Sequence, residues 1–321
     1  MDGHRRAARL LAGLATIALV AGCATGTTTP GPSAPASPSQ SATRATPTPP
    51  TATTAPSTAS PSPSPAAANY WPFVRSFCPG ASGQPLLLVA LGTSETAGYG
   101  IRSDEVYSPQ EAYPGQYAGI LCAELGRTVE LRSYFPSQSY NEWATLAWWK
   151  AKLEGDAALR DDLATASVVV LWAMGSHNVV PALVLGACSG AWPNPLQACF
   201  EAATATIPAQ TDELYGAIST LVPGDATVLA ADAYLPPAVL RRWAGQPYWQ
   251  QLKPMIDARP VVMSLAPKHG FRFVDTGLAF NGPTGSAMPA AGLFQADGLH
   301  PTAEGSLAIA RVFAEADGPG D

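Results

Sequence analysis

The stretch 86–100 of the sequence reads LLLVALGTSETAGYG. Its first six residues are all apolar, which is typical of a β-strand that is buried on both faces of a sheet. The residues that follow contain three glycines, and glycine lets the chain turn sharply directly after the strand. Ser94 lies in this turn. We therefore expect its hydroxyl group to be presented at the end of the strand.

Predicted strands and helices alternate along the rest of the chain. This alternation is typical of an α/β protein with a mostly parallel sheet and helices on both faces. In such sheets the functional side chains lie in loops that follow the carboxyl ends of the strands. Further strands are predicted at 128–131, 167–174, 227–231 and 271–275, and helices at 108–125, 139–153, 197–221 (with a break at Pro208), 247–258 and 302–316.

A second polar motif precedes the last predicted helix. Residues 297–305 read DGLHPTAEG, so Asp297 lies three positions before His300. A serine hydroxyl is a poor nucleophile until a base removes its proton, and a histidine base needs a carboxylate that fixes its tautomer. Asp297 and His300 can supply these two groups to Ser94. His269 lies in a PKHG loop with no carboxylate close by in sequence and is interpreted as an ordinary loop residue.

Together these motifs resemble the SGNH (GDSL-type) hydrolases. Members of this family carry Gly-Asp-Ser-x-(Ser/Thr)-x-Gly-x-Gly after the first strand and Asp-x-x-His before the last helix. The sequence matches both patterns, except that Thr93 stands where the family has Asp. The resemblance implies a three-layer α/β/α sandwich with a flavodoxin-like central sheet. It also implies a catalytic triad of Ser94, Asp297 and His300, and no cofactor.

The resemblance further implies hydrogen-bond donors for the oxyanion that forms during acyl transfer. In the family these are an Asn side chain and backbone N–H groups, one of them from a Gly. The string MGSHN leaves Asn178 or His177 as the side-chain donor, and a Gly-His-Asn-Asp string in some acetyl esterases of the family favours Asn178. No Gly follows the second predicted strand, so Ser137 or Gln138 would donate its N–H beside that of Ser94.

The N-terminal region carries the features of an export signal. A positively charged start is followed by the apolar run 10–21, which is too short to span a bilayer comfortably. The run ends in VAGC, which resembles a bacterial lipobox and implies lipid attachment at Cys23 after removal of residues 1–22. Residues 23–69 consist almost entirely of Ala, Thr, Ser, Pro and Gly and predict a disordered tether. The hydrolase domain is then expected at 70–321, on the outer face of the bacterial cell membrane.

The four cysteines beyond Cys23 predict two disulfides, because an even number of cysteines in an exported domain usually pairs. Of the three possible pairings we favour Cys188 with Cys199, which closes a short loop, and Cys78 with Cys122. No cysteine or histidine cluster has the spacing of metal ligands, so no metal is expected.

Composition excludes one class of function. The formal net charge is -6 and no basic patch is present, so nucleic acid is not an expected partner. The resemblance implies a serine esterase that acts through an acyl-enzyme on a lipid, a small ester or an acylated glycan, and we expect the protein to be a monomer. Two alternatives stay open: an acyl- or acetyltransferase or acetyl esterase on cell-envelope glycan, and a catalytically inactive binding module of the same fold. Thr93 and the missing Gly favour the inactive module, whereas the intact triad residues favour an enzyme.

Overall fold

A computed structural model describes residues 72–136 and 144–318 of the chain. The expected signal peptide (1–22), the expected lipidation site Cys23 and the expected tether (23–69) lie outside the described residues, and so do Ser137 and Gln138. In the described ranges, none of the helices combines the length and the apolar character that crossing a membrane requires.

The described residues form one mixed sheet. Its strands are β1 (Phe73–Phe77), β2 (Leu86–Leu91), β3 (Val129–Tyr134), β4 (Val168–Trp172), β5 (Thr227–Ala231) and β6 (Arg272–Val274). Their order across the sheet is β1-β3-β2-β4-β5-β6. Strands β2 to β6 are parallel, while β1 pairs antiparallel with β3 at one edge. The predicted mostly parallel sheet is therefore confirmed, and β1 is an addition that the sequence did not reveal.

Helices cover both faces of the sheet, as predicted. They are α1 (Ser94–Ala97), α2 (Tyr113–Leu125), α3 (Leu146–Gly155), α4 (Ala157–Thr165), α5 (Ser176–Leu183), α6 (Leu196–Thr204), α7 (Ile207–Leu221), α8 (Pro237–Trp243), α9 (Trp249–Ile256), α10 (Arg259–Lys268), α11 (Thr276–Asn281) and α12 (Ala303–Asp317). The resulting layers, helices on sheet on helices, are those of an α/β/α sandwich.

Two of the predicted helices are divided differently in the structure. The helix expected at 197–221 is in fact two helices, α6 and α7, and the break comes just before Ile207. Pro208 does not end a helix but lies in the first turn of α7, where a residue needs no N–H for the helical ladder. The helix expected at 247–258 ends at Ile256, and α10 follows it as a separate helix that the sequence pattern did not indicate.

Strand β2 holds the two halves of the core together. Its side chains alternate between the faces of the sheet. Val89 and Leu91 belong to the cluster formed with helices α3 to α10, and Leu88 and Ala90 belong to the cluster formed with α2, α11 and α12. These four side chains are fully buried. A strand with two buried faces has no position for a polar residue, which explains the apolar run.

Both predicted disulfides are present. Cys78 pairs with Cys122, which ties the turn after β1 to α2. Cys188 pairs with Cys199 and ties the loop after α5 to α6. The first bond closes a loop with a sequence separation of 44 and the second one of 11. Because a longer closed loop removes more conformational entropy from the unfolded chain, the first bond should stabilise the fold more.

We predict that the paired substitution Cys78→Ala/Cys122→Ala lowers the free energy of unfolding by about 4 kcal/mol, and Cys188→Ala/Cys199→Ala by about 3 kcal/mol. Urea unfolding of the two double variants measures both values, and mass spectrometry of the untreated protein counts the free thiols. Equal stability of either variant and the parent protein would contradict a structural role for that disulfide.

Candidate active site

The turn after β2 presents Ser94 at the carboxyl edge of the sheet. Ser94 is the first residue of the single-turn helix α1. A Cβ atom at Gly92 would overlap with the hydroxyl group of Thr96, so only glycine fits between the strand and this helix. At the other end of α1, Gly98 adopts φ 70°, a left-handed conformation that glycine accepts without strain. The glycines therefore allow a tight turn that projects Ser94 out of the sheet.

The DGLH motif forms a turn that is held by its own carboxylate. Oδ1 of Asp297 accepts hydrogen bonds from the N–H groups of Leu299, at 2.8 Å, and His300, at 3.1 Å. Its other oxygen, Oδ2, lies 2.6 Å from Nδ1 of His300. The Asp side chain thus fixes both the backbone of the turn and the orientation of the imidazole ring.

The ring of His300 reaches the serine. Its Nε2 lies 3.0 Å from Oγ of Ser94, although 206 positions separate the two residues in sequence. In the tautomer with the proton on Nδ1, this N–H donates a hydrogen bond to Asp297, and Nε2 can accept one from the Ser94 hydroxyl. The structure therefore brings Ser94, His300 and Asp297 into one continuous line of hydrogen bonds.

A second set of contacts holds the two motifs against each other. The side-chain amide of Gln295 donates to the carbonyl oxygens of Tyr99, at 2.7 Å, and Pro301, at 2.8 Å. The ring of Tyr99 packs against that of His300 with 4.6 Å between their centroids. At the start of α12, Oγ1 of Thr302 accepts from the N–H of Gly305 at 3.1 Å, which caps the helix directly after the motif.

Hydrogen bonding lowers the pKa of Asp297. Burial raises the pKa of this carboxyl group, but the bonds from the His300 ring and from the N–H groups of Leu299 and His300 outweigh that effect. Its pKa therefore lies below the ordinary value for aspartate. The carboxylate stays ionised at neutral pH, where it can stabilise a positive charge on the imidazole.

Glu95 is a site residue that the motif comparison missed. Its Oε2 lies 3.2 Å from Oγ of Ser94 and also accepts a short hydrogen bond from the hydroxyl of Thr93. Thr93 is fully buried, so this bond satisfies a hydroxyl group that water does not reach. A carboxylate thus lies beside the nucleophile even though the Asp of the family pattern is absent. The family motif assigns no role to the position after the serine, so nothing in the sequence singled out Glu95.

The N–H of Ser94 is available as an oxyanion donor. It makes no hydrogen bond within the described residues, since it is the first residue of α1 and the helical bonds begin further along. Ser137 and Gln138, the candidates for a second backbone donor, lie outside the described residues. His177 is in the first turn of α5.

The side chain of Asn178 makes its hydrogen bonds away from Ser94. Its Oδ1 accepts from the N–H of Leu146 at 3.1 Å, and its Nδ2 donates to Oε1 of Gln210 at 3.4 Å. Both contacts point to α3 and α7 rather than to Ser94. The side chain is thereby engaged at the start of α3, and it is Gly175 and Ser176 of this segment that line the cavity next to Ser94. These contacts hold the Asn178 side chain at the start of α3, and its oxyanion role stays a prediction.

A large apolar cavity opens at the serine and histidine. Its volume is about 660 Å³, within the size range of sites for small ligands. Most of its wall comes from α5, the start of α7, the start of α8 and the segment that joins α9 to α10. Glu95, Asp297 and Asp257 are the acidic side chains among the lining residues.

A second His–Asp pair lies away from this site. Nε2 of His269 is 2.6 Å from Oδ1 of Asp212, which also binds Lys268. His269 ends α10 shortly before β6 begins, so it lies at the edge of the parallel sheet opposite to the one that carries Ser94. The sequence interpretation missed this carboxylate because it comes from α7, 57 positions away.

No group of three or more His, Cys, Asp or Glu side chains within 72–136 and 144–318 could hold a metal ion.

No protein-family model matches the chain, and the search of the curated proteins found no match. Among solved structures, the fold is similar to TesA, with 18% identity, 73% of this chain and 98% of that chain covered, and a TM-score of 0.46. It is similar to an extracellular lipase from Streptomyces rimosus, with 22% identity, coverage of 72% and 99%, and a TM-score of 0.47. A carbohydrate acetylesterase family member from Sinorhizobium meliloti gives 14% identity, coverage of 72% and 96%, and a TM-score of 0.41. At this level of likeness, an activity has to be argued from the residues of the site itself.

We predict that Asn178→Ala lowers the free energy of unfolding by about 1 kcal/mol, because the N–H of Leu146 loses its acceptor. The substitution should cost far less than the ~10²-fold in kcat that typically follows loss of an oxyanion donor. Urea unfolding and ester hydrolysis measure the two effects. Thr145→Ala is the matched control, because its Oγ1 accepts from the N–H of Trp148 at the start of the same helix. A ~10²-fold loss of kcat with unchanged stability would return Asn178 to the oxyanion site.

Proposed function

We propose that the chain is a serine ester hydrolase of the SGNH type. The observation that supports this most directly is the line of hydrogen bonds from Asp297 through His300 to Ser94, with distances of 2.6 and 3.0 Å. These three residue types in this geometry form the arrangement that activates a serine hydroxyl for attack on a carbonyl carbon. A binding module that lacked catalysis would have no need to align all three groups at the mouth of a cavity.

The proposed reaction begins at the Ser94 hydroxyl. Oγ of Ser94 attacks the ester carbonyl carbon while its proton passes to Nε2 of His300, and Asp297 stabilises the resulting imidazolium. The N–H of Ser94 donates to the oxyanion that forms on the carbonyl oxygen. The tetrahedral intermediate then collapses, His300 gives its proton to the departing alcohol oxygen, and the acyl group stays on Ser94.

A water molecule completes the cycle. It gives a proton to His300 and attacks the acyl carbon. The second tetrahedral intermediate releases the carboxylic acid and returns the proton from His300 to Ser94. An alcohol in place of this water would make the same site an acyltransferase. The ratio of free acid to transferred ester, measured with an added acceptor alcohol, separates the two reactions.

We further propose that the protein is exported and held at the outer face of the cell membrane by a lipid on Cys23. The support is the VAGC string at the end of the apolar run. Two or more acyl chains on one cysteine give stable anchoring, whereas a single chain binds only reversibly. Cys23→Ser should move the protein from the membrane fraction to the soluble fraction of the expressing bacterium. An unchanged distribution would refute the anchor.

We predict that Ser94→Ala and His300→Ala each lower kcat by at least ~10⁴-fold, and that the double variant is little worse, because a base without a nucleophile has nothing to activate. Asp297→Ala should retain more activity, since His300 can still accept a proton in a less favourable orientation. Hydrolysis of a nitrophenyl ester measures kcat for all four variants.

His269→Ala provides a matched control for His300→Ala, because His269 also pairs with an Asp carboxylate, at the opposite edge of the sheet. Its kcat should equal that of the parent protein. Ester hydrolysis that is unchanged in Ser94→Ala, or additive losses in the double variant, would overturn the proposed mechanism.

A further inference from the structure

The wall of the cavity beside Ser94 is mostly apolar, and its largest share comes from aliphatic side chains. Val180 and Leu183 of α5, Ile207 of α7, Val239 of α8 and Val261 of α10 all line it. The rim is apolar as well, since Leu185 lines the cavity and is 62% exposed. Burying apolar surface against such a wall is favourable in proportion to the area removed from water. The cavity is therefore suited to a hydrocarbon group.

Apart from His300, ionisable side chains of opposite sign are absent from the described lining, which holds the carboxylates of Glu95, Asp257 and Asp297. Of the acidic side chains that line it, Asp257 is neutralised by Lys253, at 2.8 Å, and Asp297 is paired with His300. The carboxylate of Glu95 remains, 3.2 Å from the nucleophilic oxygen. No Lys or Arg lies among the lining residues that the structure describes. A negatively charged group close to the ester would therefore meet the carboxylate of Glu95, and no cation lines the cavity to offset that repulsion.

The sides of the ester can be assigned from the proton that His300 must deliver. The departing alcohol oxygen has to lie at Nε2 of His300, because this nitrogen is the proton donor in the collapse step. His300 lines the same cavity as Ser94 and precedes α12, which packs with α2 on one face of the sheet. Leu183, Ile207 and Val239 belong to the core cluster of the opposite face. The departing alcohol is thereby assigned to the part of the cavity beside His300, and the aliphatic wall of α5, α7 and α8 is left for the acyl group.

We propose that the preferred substrate is an uncharged ester with a linear, medium-to-long hydrocarbon acyl chain, and that this chain lies in the cavity formed by α5, α7, α8 and the start of α10. This inference rests on the proposed esterase function and adds the acyl specificity. Acetyl groups leave the cavity unfilled and gain nothing from it. Acyl donors with a phosphate or carboxylate next to the ester are disfavoured by Glu95.

The test is a series of nitrophenyl esters from acetate to dodecanoate, with the parent protein and with Ser94→Ala as the background. With the alcohol part constant, kcat/KM should rise about fourfold per added methylene until the cavity is filled, which corresponds to burial of one methylene group each time. A second series, acetates of alcohols of increasing length, should stay flat. A rise in the second series and not in the first would overturn the assignment of the cavity to the acyl chain.

A matched pair of variants tests the place of the chain. Val261→Trp narrows the cavity, and the ratio of kcat/KM for decanoate to that for acetate should fall about tenfold or more, as for the loss of two or more buried methylenes. Met263→Trp introduces the same side chain on the same helix, but Met263 is exposed and does not line the cavity. It should keep the chain-length ratio of the parent protein. Equal ratios in the two variants would contradict the proposal.

A separate experiment tests the predicted preference for uncharged acyl chains. One probe is a nitrophenyl ester with a short acyl chain that ends in a carboxylate. It should react more slowly than the neutral ester of equal length, and Glu95→Gln should reduce that difference in rate. An equal difference in both proteins would remove Glu95 from the explanation.

A binding measurement separates failure of this inference from failure of the esterase function. The neutral fluorophore N-phenyl-1-naphthylamine should bind to Ser94→Ala and be displaced by decanol, and Val261→Trp should weaken that binding while Met263→Trp should not. Hydrolysis of acetate without any gain in longer esters would refute the acyl specificity and leave the esterase standing. Binding without any Ser94-dependent hydrolysis would refute the esterase and keep the cavity as an apolar site. The absence of both fluorophore binding and a chain-length effect would overturn the inference.

Discussion

The structure depends on one constraint: β2 is buried on both faces and leads directly to Ser94, the proposed nucleophile. Its alternating side chains join the two core clusters, one with α3 to α10 and the other with α2, α11 and α12. Any displacement of β2 would open both clusters at once, so the strand is held rigidly by packing. The backbone at Gly92 is packed so closely that no side chain would fit there, and this close packing also restrains the turn that carries Ser94. A serine that reacts at a fixed distance from its base needs such a support.

Rigid placement of Ser94 can serve the proposed reaction only if His300, the proposed base, lies within hydrogen-bond distance of it. The base comes from the far end of the chain, and the parallel sheet solves this problem, since the loops after its strands converge on one edge. Gln295 then locks the two segments together through the carbonyl oxygens of Tyr99 and Pro301. The hydrogen bond between Ser94 and His300 is therefore a consequence of the fold and not of local sequence.

Departures from the family pattern have local solutions in this chain. Thr93 replaces an Asp, and the carboxylate of Glu95 lies beside it and beside the nucleophile instead. The side chain of Asn178 accepts a hydrogen bond from the N–H of Leu146 at the start of α3. The same site thus combines a complete hydrogen-bonded line with an unusual acidic neighbour and an aliphatic cavity. These features together argue for chemistry on a neutral, apolar ester.

The sequence alone determined the buried strands, the α/β class and the three residues of the hydrogen-bonded line, because each is written in a local pattern: an apolar run, a glycine-rich turn, an Asp three positions before a His. It determined neither β1 nor the role of Asn178. Strand β1 is an edge strand with three exposed central residues, so no pattern of buried side chains marks it. The contacts of Asn178 and His269, and the cavity itself, join residues 32 or more positions apart, and only the folded chain decides which of them meet. Local periodicity reports burial, whereas a contact between distant residues depends on how whole elements pack.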